Sequence, residues 1–337
     1  MRIAVIAPPW TAIPPDGYGG IELVVDRLAT GFQEAGHEVM LFATGDSTCP
    51  VPTQWTLAEP DQRMGSVVPE MRHVMAAYDA VQDFDVVHDH TMAGPAYAAR
   101  YPDLKVVTTL HGPLDGELGD PYLRICDRVP LIAISRAQCK PLPQLRVARV
   151  IHHGLDARDF PVGDGDGGYL LFLGRMTPEK GAHRAIEAAT RAGLPLVLAA
   201  KMREPAEVEY YERHVEPLLT SDTRYVGEVG VKDKLELLAG AKALVFPIRW
   251  NEPFGMVMIE ALACGTPVVA FREGSVPEVV DHGRTGFVCA GTGEMADALG
   301  RIDTLDRAAC RAEVAQGRFS TARMVGEHLE LFESLAA

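Results

Sequence analysis

The chain is 337 residues long, beyond the size at which one hydrophobic core usually keeps growing, so its length favours two domains. Its 32 basic and 46 acidic side chains give a formal net charge of −14, which argues against a protein that holds nucleic acid by bulk electrostatics. Its six cysteines form no CxxC pair. A disulfide framework or a zinc site is therefore not expected, and a reducing, cytoplasmic location is favoured.

The first half of the chain alternates short apolar runs with amphipathic segments. It opens with a strand in RIAVIA, followed by a helix predicted from Ile21 to Ala35, where apolar residues recur at helical spacing and Gly36 ends the pattern. A second helix is predicted near residues 68–81. The further strand-like runs are HEVMLFA, FDVVHDH, LKVVTTLHG and VPLIAISR.

The pattern starts again after PVGDGDGG, a segment whose glycines and aspartates are typical of a linker. The strand-like runs of this second series are YLLFLG, LPLVLAA, TRYVGEV, ALVFP, TPVVAF and GFVCA. Helices are predicted over residues 179–192, 205–219, 231–241, 256–264 and 320–335. Apolar runs separated by helices indicate parallel strands covered on both faces. The sequence therefore predicts an α/β protein with two Rossmann-like, doubly wound parallel sheets.

Two domains of comparable length follow from this pattern. We place an N-terminal Rossmann-like domain at residues 1–160 and a C-terminal one at residues 161–318, and expect a helix within residues 319–337 to pack back on the N-terminal domain. In such sheets, ligands bind beyond the carboxyl ends of the strands, where turns meet helix N-termini. Polar side chains at those ends are the candidates for function.

Charged side chains follow two strands of the second half. Arg175 and Lys180 come directly after YLLFLG, and two cations beside a helix start suit a diphosphate. Glu252 follows ALVFP and Glu260 lies in the next helix, where carboxylates can accept hydrogen bonds from sugar or ribose hydroxyls. For any one of these residues alone, a surface ion pair or a helix cap is the better explanation, so the combination carries the prediction.

The spacing of these residues resembles that of a known family. The segment Gly174 to Gly181 reads GRMTPEKG, and Glu252 begins EPFG eight residues before Glu260. This set is similar to the C-terminal domain of the retaining glycosyltransferases of family four, which have the GT-B fold of two Rossmann-like domains facing an interdomain cleft. The resemblance continues in PFGMVMIEALACGTPVVAFREGSVPEVVDHGRTGFV and, in the first half, in GYGGIELVV, DVVHDH, TLHG, IAISR and VIHHGLD.

The resemblance implies roles for residues at matching positions. Arg175 and Lys180 would bind the diphosphate of a nucleotide-sugar donor, Glu252 the hydroxyls of the transferred sugar and Glu260 the ribose. His111, at the end of a first-domain strand, would lie near the sugar ring. The sugar or phosphate would also be contacted by the backbone amides of Phe254, Gly255 and Met256.

The loop after the first strand, PPWTAIPPDGYGGIE, is longer than a plain connector needs. Its prolines fix φ, and Gly19 and Gly20 allow close backbone approach at the start of the Ile21 helix. In the family, this turn faces the donor phosphates and the acceptor. Gly19 and Gly20 are therefore expected to bind the donor, while Asp16 and Tyr18 are candidate acceptor contacts. His90 is a further candidate on the acceptor side.

The family's chemistry implies the reaction. Its members transfer a sugar to a hydroxyl with retention at the anomeric carbon and without an essential metal, so we expect no metal and no cofactor beyond the donor itself. The spacing of His88, Asp89 and His90 and the Asp164-Gly165-Asp166 triplet both superficially suggest metal sites. The first lacks a third ligand nearby, and the second lies in the linker.

The acceptor is expected to be a hydroxyl-bearing small molecule or glycan. The apolar run Ile3 to Ala7 is too short for a signal peptide or a membrane-spanning helix, and no other run reaches that length. The first half also lacks a run of basic residues, so membrane association is not expected.

Three other classes of protein are considered. A different GT-B enzyme, such as a nucleotide-sugar epimerase or a phosphorylase, and a non-catalytic sugar-nucleotide-binding protein stay open as alternatives. The binding protein would need Arg175, Lys180 and Glu260 but not His111 and Glu252, and this chain has all five. A dinucleotide dehydrogenase is disfavoured because the first turn lacks GxGxxG.

Overall fold

The computed structural model describes residues 1–17 and 19–336. It divides into two compact units, the first formed by Met1–Gly154 with Thr321–Ala337 and the second by Leu155–Ser320. Within the described residues, every paired strand runs parallel to its neighbours. The two doubly wound parallel sheets predicted from the sequence are confirmed.

The described part of the first unit contains a seven-stranded sheet in the order β3-β2-β1-β4-β5-β6-β7. Ile3 in β1 pairs with Val39 in β2 on one side and Val86 in β4 on the other, and these apolar side chains are buried. Its strands are β1 Arg2–Ile6, β2 Glu38–Ala43, β3 Thr53–Trp55, β4 Val86–Asp89, β5 Val106–Leu110, β6 Leu131–Ala133 and β7 Arg149–Val150. Its helices up to the unit boundary are α1 Gly20–Glu34, α2 Val67–Ala80, α3 Gly94–Tyr97, α4 Gly119–Ile125 and α5 Arg136–Cys139.

The second unit contains, in its described residues, a six-stranded sheet in the order β10-β9-β8-β11-β12-β13. Its strands are β8 Leu170–Arg175, β9 Leu196–Lys201, β10 Thr223–Gly227, β11 Ala243–Phe246, β12 Val268–Phe271 and β13 Gly286–Cys289. Its helices are α6 Ala182–Ala192, α7 Pro205–Tyr210, α8 Val231–Gly240, α9 Met256–Ala263, α10 Val276–Val279, α11 Thr292–Leu299 and α12 Arg307–Ala315. Buried side chains of β8, β9, β11, β12 and α6 form its core.

The last helix, α13 (Thr321–Ala336), packs against α1 in the first unit. Gly31 on α1 meets Val325 on α13 so closely that a Cβ at position 31 would clash with the valine. Phe32 and Phe332 pack beside this contact with their rings tilted, and the ring centroids are 5.4 Å apart. The amphipathic pattern of the last segment is therefore explained by a buried face toward α1.

Two predicted helices of the second unit differ from the observed ones for physical reasons. The helix expected from residue 179 begins at Ala182, because Gly181 at its N-cap has φ of +81°, outside the helical region. The helix expected over residues 205–219 is a short α-helix that continues as a π turn over Tyr211–Val215 and a 3-10 turn over Glu216–Leu218. Pro217 has no amide proton to continue the α-helical bonding.

Two strands, β3 and β7, and six α-helices were not predicted from the sequence; the helices are α3, α4, α5, α10, α11 and α12. β3 and β7 have only three and two residues, too few for a periodic pattern. Across the described residues, no helix is both long and apolar enough to cross a membrane.

Candidate active site

Arg175 is the last residue of β8, at the carboxyl edge of the second sheet. Its Nε donates to Glu207 Oε1 at 2.8 Å, and its Nη2 lies 2.6 Å from the same oxygen. Glu207 is only 2% exposed, whereas the Arg175 side chain is 43% exposed. The carboxylate therefore holds one edge of the planar guanidinium and leaves the Nη1 edge for another acceptor.

Glu207 belongs to the first turn of α7 and is itself held by two backbone amides. Arg203 N and Glu204 N donate to its Oε2 at 2.7 and 3.1 Å, forming a capping box with Glu204. Burial raises the pKa of Glu207. The two amides and the Arg175 guanidinium together lower it by more than burial raises it, so the pKa lies below its usual value. Glu207 thus stays ionised as the partner of Arg175.

Lys180 lies in the loop between β8 and α6 and points its charge at Glu252. Its Nζ is 2.5 Å from Glu252 Oε2, and it lies 4.6 Å from the ring centroid of Trp250. Both partners of the ion pair are mostly buried. The structure therefore brings together Lys180, which was predicted to bind the diphosphate, and Glu252, which was predicted to bind the sugar, although 72 residues separate them in the sequence.

A second loop fixes the backbone around Glu252. Ser275 donates from its amide to Glu252 O at 3.0 Å and from its hydroxyl to Phe254 O at 2.7 Å. Gly274 has φ of +49°, and a Cβ there would collide with the backbone of Glu252. Glycine is therefore required at this position both by conformation and by space.

Glu260 lies in α9 and is buried, with a side-chain exposure of 8%. Lys234 in α8 donates to its Oε1 at 2.7 Å. The expected ribose ligand thus has a cationic partner, which orients one of its oxygens and leaves the other for a hydroxyl. Lys234 was not predicted as a site residue.

Two helices of the second unit begin beside these charges. Gly181 precedes α6 and Gly255 precedes α9, both with left-handed φ. The first amides of a helix have no partner within it and carry a partial positive charge. Met256 is the first residue of α9, and Phe254 is buried. The amides of Phe254, Gly255 and Met256 therefore lie at the start of α9.

Five histidines form a continuous cluster in the first unit; four of them are buried, and His111 is partly exposed. Neighbouring rings in the cluster have centroids 4.1 to 5.7 Å apart, in the order His328, His88, His90, His111, His153. His90 and His111 follow β4 and β5 directly, and His90 Nδ1 lies 2.8 Å from His111 Nε2. The ends of neighbouring parallel strands meet at one edge of a sheet, which explains how these two rings come together.

Burial keeps these histidines neutral. It lowers the pKa of His111 to about 3 and of His328 to about 4, and electrostatic interaction with His328 lowers the pKa of His111 further. Burial likewise lowers the pKa of His88, His90 and His153 well below the ordinary value. His111 therefore acts as an uncharged hydrogen-bonding group at neutral pH.

Asp89 and its neighbours hold the turn after β4. Asp89 accepts from the hydroxyl of Tyr78 at 2.7 Å and from Thr91 N at 2.7 Å. Burial raises its pKa to about 6 against these hydrogen bonds. Among the described residues, no group of three or more His, Cys, Asp or Glu side chains is arranged to hold a metal ion.

The loop after β1 leads into α1 through Gly19 and Gly20. A Cβ on Gly19 would lie 2.7 Å from Pro15 Cβ and 2.8 Å from Glu22 Oε2, so the chain packs closely here. Asp16 is exposed. Tyr18, the other predicted acceptor contact, lies outside the described residues.

The sequence reading missed Glu207, Lys234 and the extent of the histidine cluster. Glu207 left a readable signal, because Glu204-Pro205-Ala206-Glu207 has the spacing of a capping box with proline at the first helical position. Lys234 left none, since its partner Glu260 lies 26 residues away on another helix.

Two units, each with a parallel α/β sheet, are the architecture of the GT-B class. The family model described as Glycosyltransferase Family 4 matches residues 18–159, and the model described as Glycosyl transferases group 1 matches residues 157–307. The chain belongs to this family of glycosyltransferases. The family predicted from the motifs is therefore confirmed.

Curated relatives match over most of their length. Glycogen synthase of Mycobacterium tuberculosis is 29% identical over 86% of this chain and 82% of its own. The phosphatidyl-myo-inositol mannosyltransferase of Mycolicibacterium smegmatis is 27% identical over 85% of this chain and 80% of its own. These names describe the relatives and differ in the acceptor they imply.

Solved structures have the same fold. A glycosyltransferase involved in avilamycin A biosynthesis superposes with a TM-score of 0.77 at 26% identity, covering 99% of this chain and 98% of its own. Anabaena HepE, crystallised with UDP and glucose, gives a TM-score of 0.76 at 20% identity over 99% of this chain and all of its own. Both likenesses support the GT-B fold.

We expect Lys234→Met to destabilise the protein by about 1–3 kcal/mol, because it leaves the buried Glu260 carboxylate without its charged partner. The measurement is urea unfolding. Lys232→Met is the matched control on the same helix, because Lys232 is exposed and its ion pair with Glu236 is long, at 3.9 Å, and therefore weak. Equal midpoints for the two variants would contradict the proposed importance of the Lys234 pair.

Acidification should destabilise the first unit. The five clustered histidines and the buried His73, whose pKa burial also lowers, are neutral when folded, but in the unfolded chain each binds a proton near pH 6.5. The unfolded state therefore binds more protons, and stability falls as the pH falls below about 6.5, by up to ~1.4 kcal/mol per pH unit for each histidine. Two carboxyl groups of the first unit with raised pKa values, Asp89 and Glu22, act in the opposite direction, Asp89 between about pH 4 and 6, but they are fewer than the histidines.

The check is thermal unfolding followed by circular dichroism from pH 8 to pH 5. His328→Leu removes one titrating group and should flatten the dependence. A melting temperature that is constant or rises between pH 7 and pH 5 would contradict the neutral state of the cluster.

Proposed function

We propose that this glycosyltransferase takes a sugar from a nucleotide-diphosphate sugar and transfers it, with retention at the anomeric carbon, to a hydroxyl of a small molecule or glycan. The observation that carries the proposal is the set of charges beyond β8 and β11. Arg175 and Lys180 are each held by a carboxylate, 2.6 Å and 2.5 Å away, beside the starts of α6 and α9.

In the proposed mechanism, charge builds on the β-phosphate oxygen as the bond to the sugar breaks. The Nη1 edge of Arg175, the Lys180 ammonium and the first amides of α6 and α9 would stabilise that charge. Preorganised donors of this kind are worth ~2.7–4 kcal/mol each. These side chains supply the positive charge for the leaving group, so we propose that no metal ion is essential.

The sugar and ribose are assigned to the two carboxylates. Glu252 would accept hydrogen bonds from hydroxyls of the transferred sugar, and Glu260 from the ribose, each through the oxygen that its lysine does not hold. Neither carboxylate is assigned as a nucleophile, because each is already engaged by a cation. We therefore propose attack by the acceptor hydroxyl on the face that the phosphate leaves, with a phosphate oxygen taking the proton.

His111 is assigned to the transferred sugar. Its ring is neutral and follows β5 at the carboxyl edge of the first sheet. The relatives' names span a glucan, a sugar phosphate and a phosphatidylinositol as products or acceptors. The proposal for this chain is accordingly kept to a hydroxyl-bearing acceptor.

The proposal is tested with a panel of UDP-, GDP-, ADP- and dTDP-sugars. One donor should raise the melting temperature, by the equivalent of ~2.7 kcal/mol at a hundredfold excess over Kd. Slow hydrolysis of that donor should release sugar that is first seen by NMR in the donor's own anomeric form, and EDTA should not slow it. Sugar released as the opposite anomer, or no stabilisation by any donor, would contradict the proposal.

Arg175→Ala should lower kcat on the order of a hundredfold, because it removes a donor to the leaving phosphate. Arg203→Ala is the control: this arginine lies in the same unit, is exposed and pairs with Glu228 at 2.9 Å. Steady-state kinetics with the donor identified above provides the measurement, and unfolding midpoints show that both variants are folded. A wild-type kcat in Arg175→Ala would exclude the assigned role.

A further inference from the structure

We infer that His90 is a positioning residue that fixes the tautomer of His111, so that His111 presents an Nδ1–H donor to an oxygen of the transferred sugar. The inference deepens the proposed function, and the role toward the sugar rests on it. It concerns which ring nitrogen carries the proton, which determines whether His111 can donate a hydrogen bond or accept one.

The contact between the two rings allows only one proton between them. His90 Nδ1 and His111 Nε2 are 2.8 Å apart, and both imidazoles are neutral because burial lowers both pKa values. A neutral imidazole has one N–H and one bare nitrogen. Either His90 donates from Nδ1 to His111, or His111 donates from Nε2 to His90.

The other nitrogen of His90 distinguishes the two arrangements. His90 is 4% exposed, and its Nε2 has no hydrogen-bond partner in the described part of the chain. If His111 were the donor, the His90 proton would have to sit on this Nε2, as a buried N–H without an acceptor. Buried N–H groups without a partner are rarer than underused acceptors. His90 therefore donates from Nδ1, and its bare Nε2 is the unpartnered atom.

The tautomer of His111 follows directly. With Nε2 accepting from His90, the single proton of the neutral His111 ring is on Nδ1. Nδ1–H is then the group that His111 offers, and a hydroxyl or ring oxygen of a sugar is a suitable acceptor. His111 cannot remove a proton from an acceptor hydroxyl through Nδ1, because that nitrogen already carries one.

The surrounding rings hold His90 in this orientation. Its ring lies 4.1 Å from that of His88, whose Nε2 is fixed 2.8 Å from Thr109 Oγ1. His153 stacks on His111, with centroids 5.7 Å apart and planes inclined by 20°. His90 thus lies in the interior between His88 and His111 and acts on the substrate through His111.

The experiment is long-range 1H–15N correlation NMR on protein labelled in the imidazole nitrogens. The His111 signals are identified by their loss in His111→Gln. In the wild type at pH 7.5, we expect His111 with its proton on Nδ1. The same pattern should persist in His90→Asn, where the amide Nδ2 takes the place of the ring donor, and it should be lost in His90→Leu, which has no donor.

Kinetics separates this role from simple packing. His90→Leu should lower kcat about tenfold, the order expected for one lost hydrogen bond, and His90→Asn should restore most of it. The rise in melting temperature caused by the nucleoside diphosphate alone should be the same in both variants. Equal losses of kcat in the two variants would overturn the positioning role.

The wild-type spectrum is decisive even if His90→Leu fails to fold. A His111 proton on Nε2 would overturn the inference whatever the activity. Failure of the proposed function gives a different result, since no donor would then bind or be hydrolysed while the tautomer could still be read.

Discussion

The second unit depends on the pairing of buried charges. Glu207, Glu252 and Glu260 are all nine-tenths or more buried as side chains, and each is held by a cation from a different segment: Arg175, Lys180 and Lys234. A buried carboxylate without such a partner would be strongly destabilising. The pairs therefore fix the relative positions of β8, the β11–α9 loop, α7 and α8, and in doing so they set the arrangement of the candidate donor site.

These pairs also make the proposed site for an anionic ligand compatible with a net charge of −14. Each cation is restrained by its carboxylate before a ligand arrives, so less side-chain entropy is lost on binding. The half-exposed guanidinium of Arg175 keeps one edge for a second acceptor, and Lys180 has two further protons to donate. For the proposed diphosphate site, local geometry therefore matters more than overall charge.

In the first unit, a cluster of polar side chains is formed by histidines. They avoid the cost of a buried charge by remaining neutral, and their rings pack as flat, partly apolar surfaces beside Phe32 and Phe332. Hydrogen bonds to Thr109, to the backbone at Met324 and between His90 and His111 satisfy part of the cluster. The nitrogens that stay unpaired restrict which tautomers the remaining rings can adopt.

The sequence by itself determined the class of fold, the family and most of the candidate site residues. Apolar runs alternating with amphipathic segments are local patterns, and GRMTPEKG, EPFG and Glu260 are read at fixed spacing along the chain. The start of α6 was predicted three residues too early. The helical pattern begins at residue 179, but the left-handed conformation of Gly181 keeps the chain in the loop until Ala182. The two-residue β7 gave no pattern at all.

Only the tertiary structure determined which charged and aromatic side chains pair with each other. Glu207 meets Arg175 across 32 residues, Lys234 meets Glu260 across 26, and His328 joins His88 from the far end of the chain. Local sequence patterns report periodicity and turn chemistry over a few residues. The ionisation of a buried group depends on what the fold brings within a few ångströms of it, and that distance is fixed by packing.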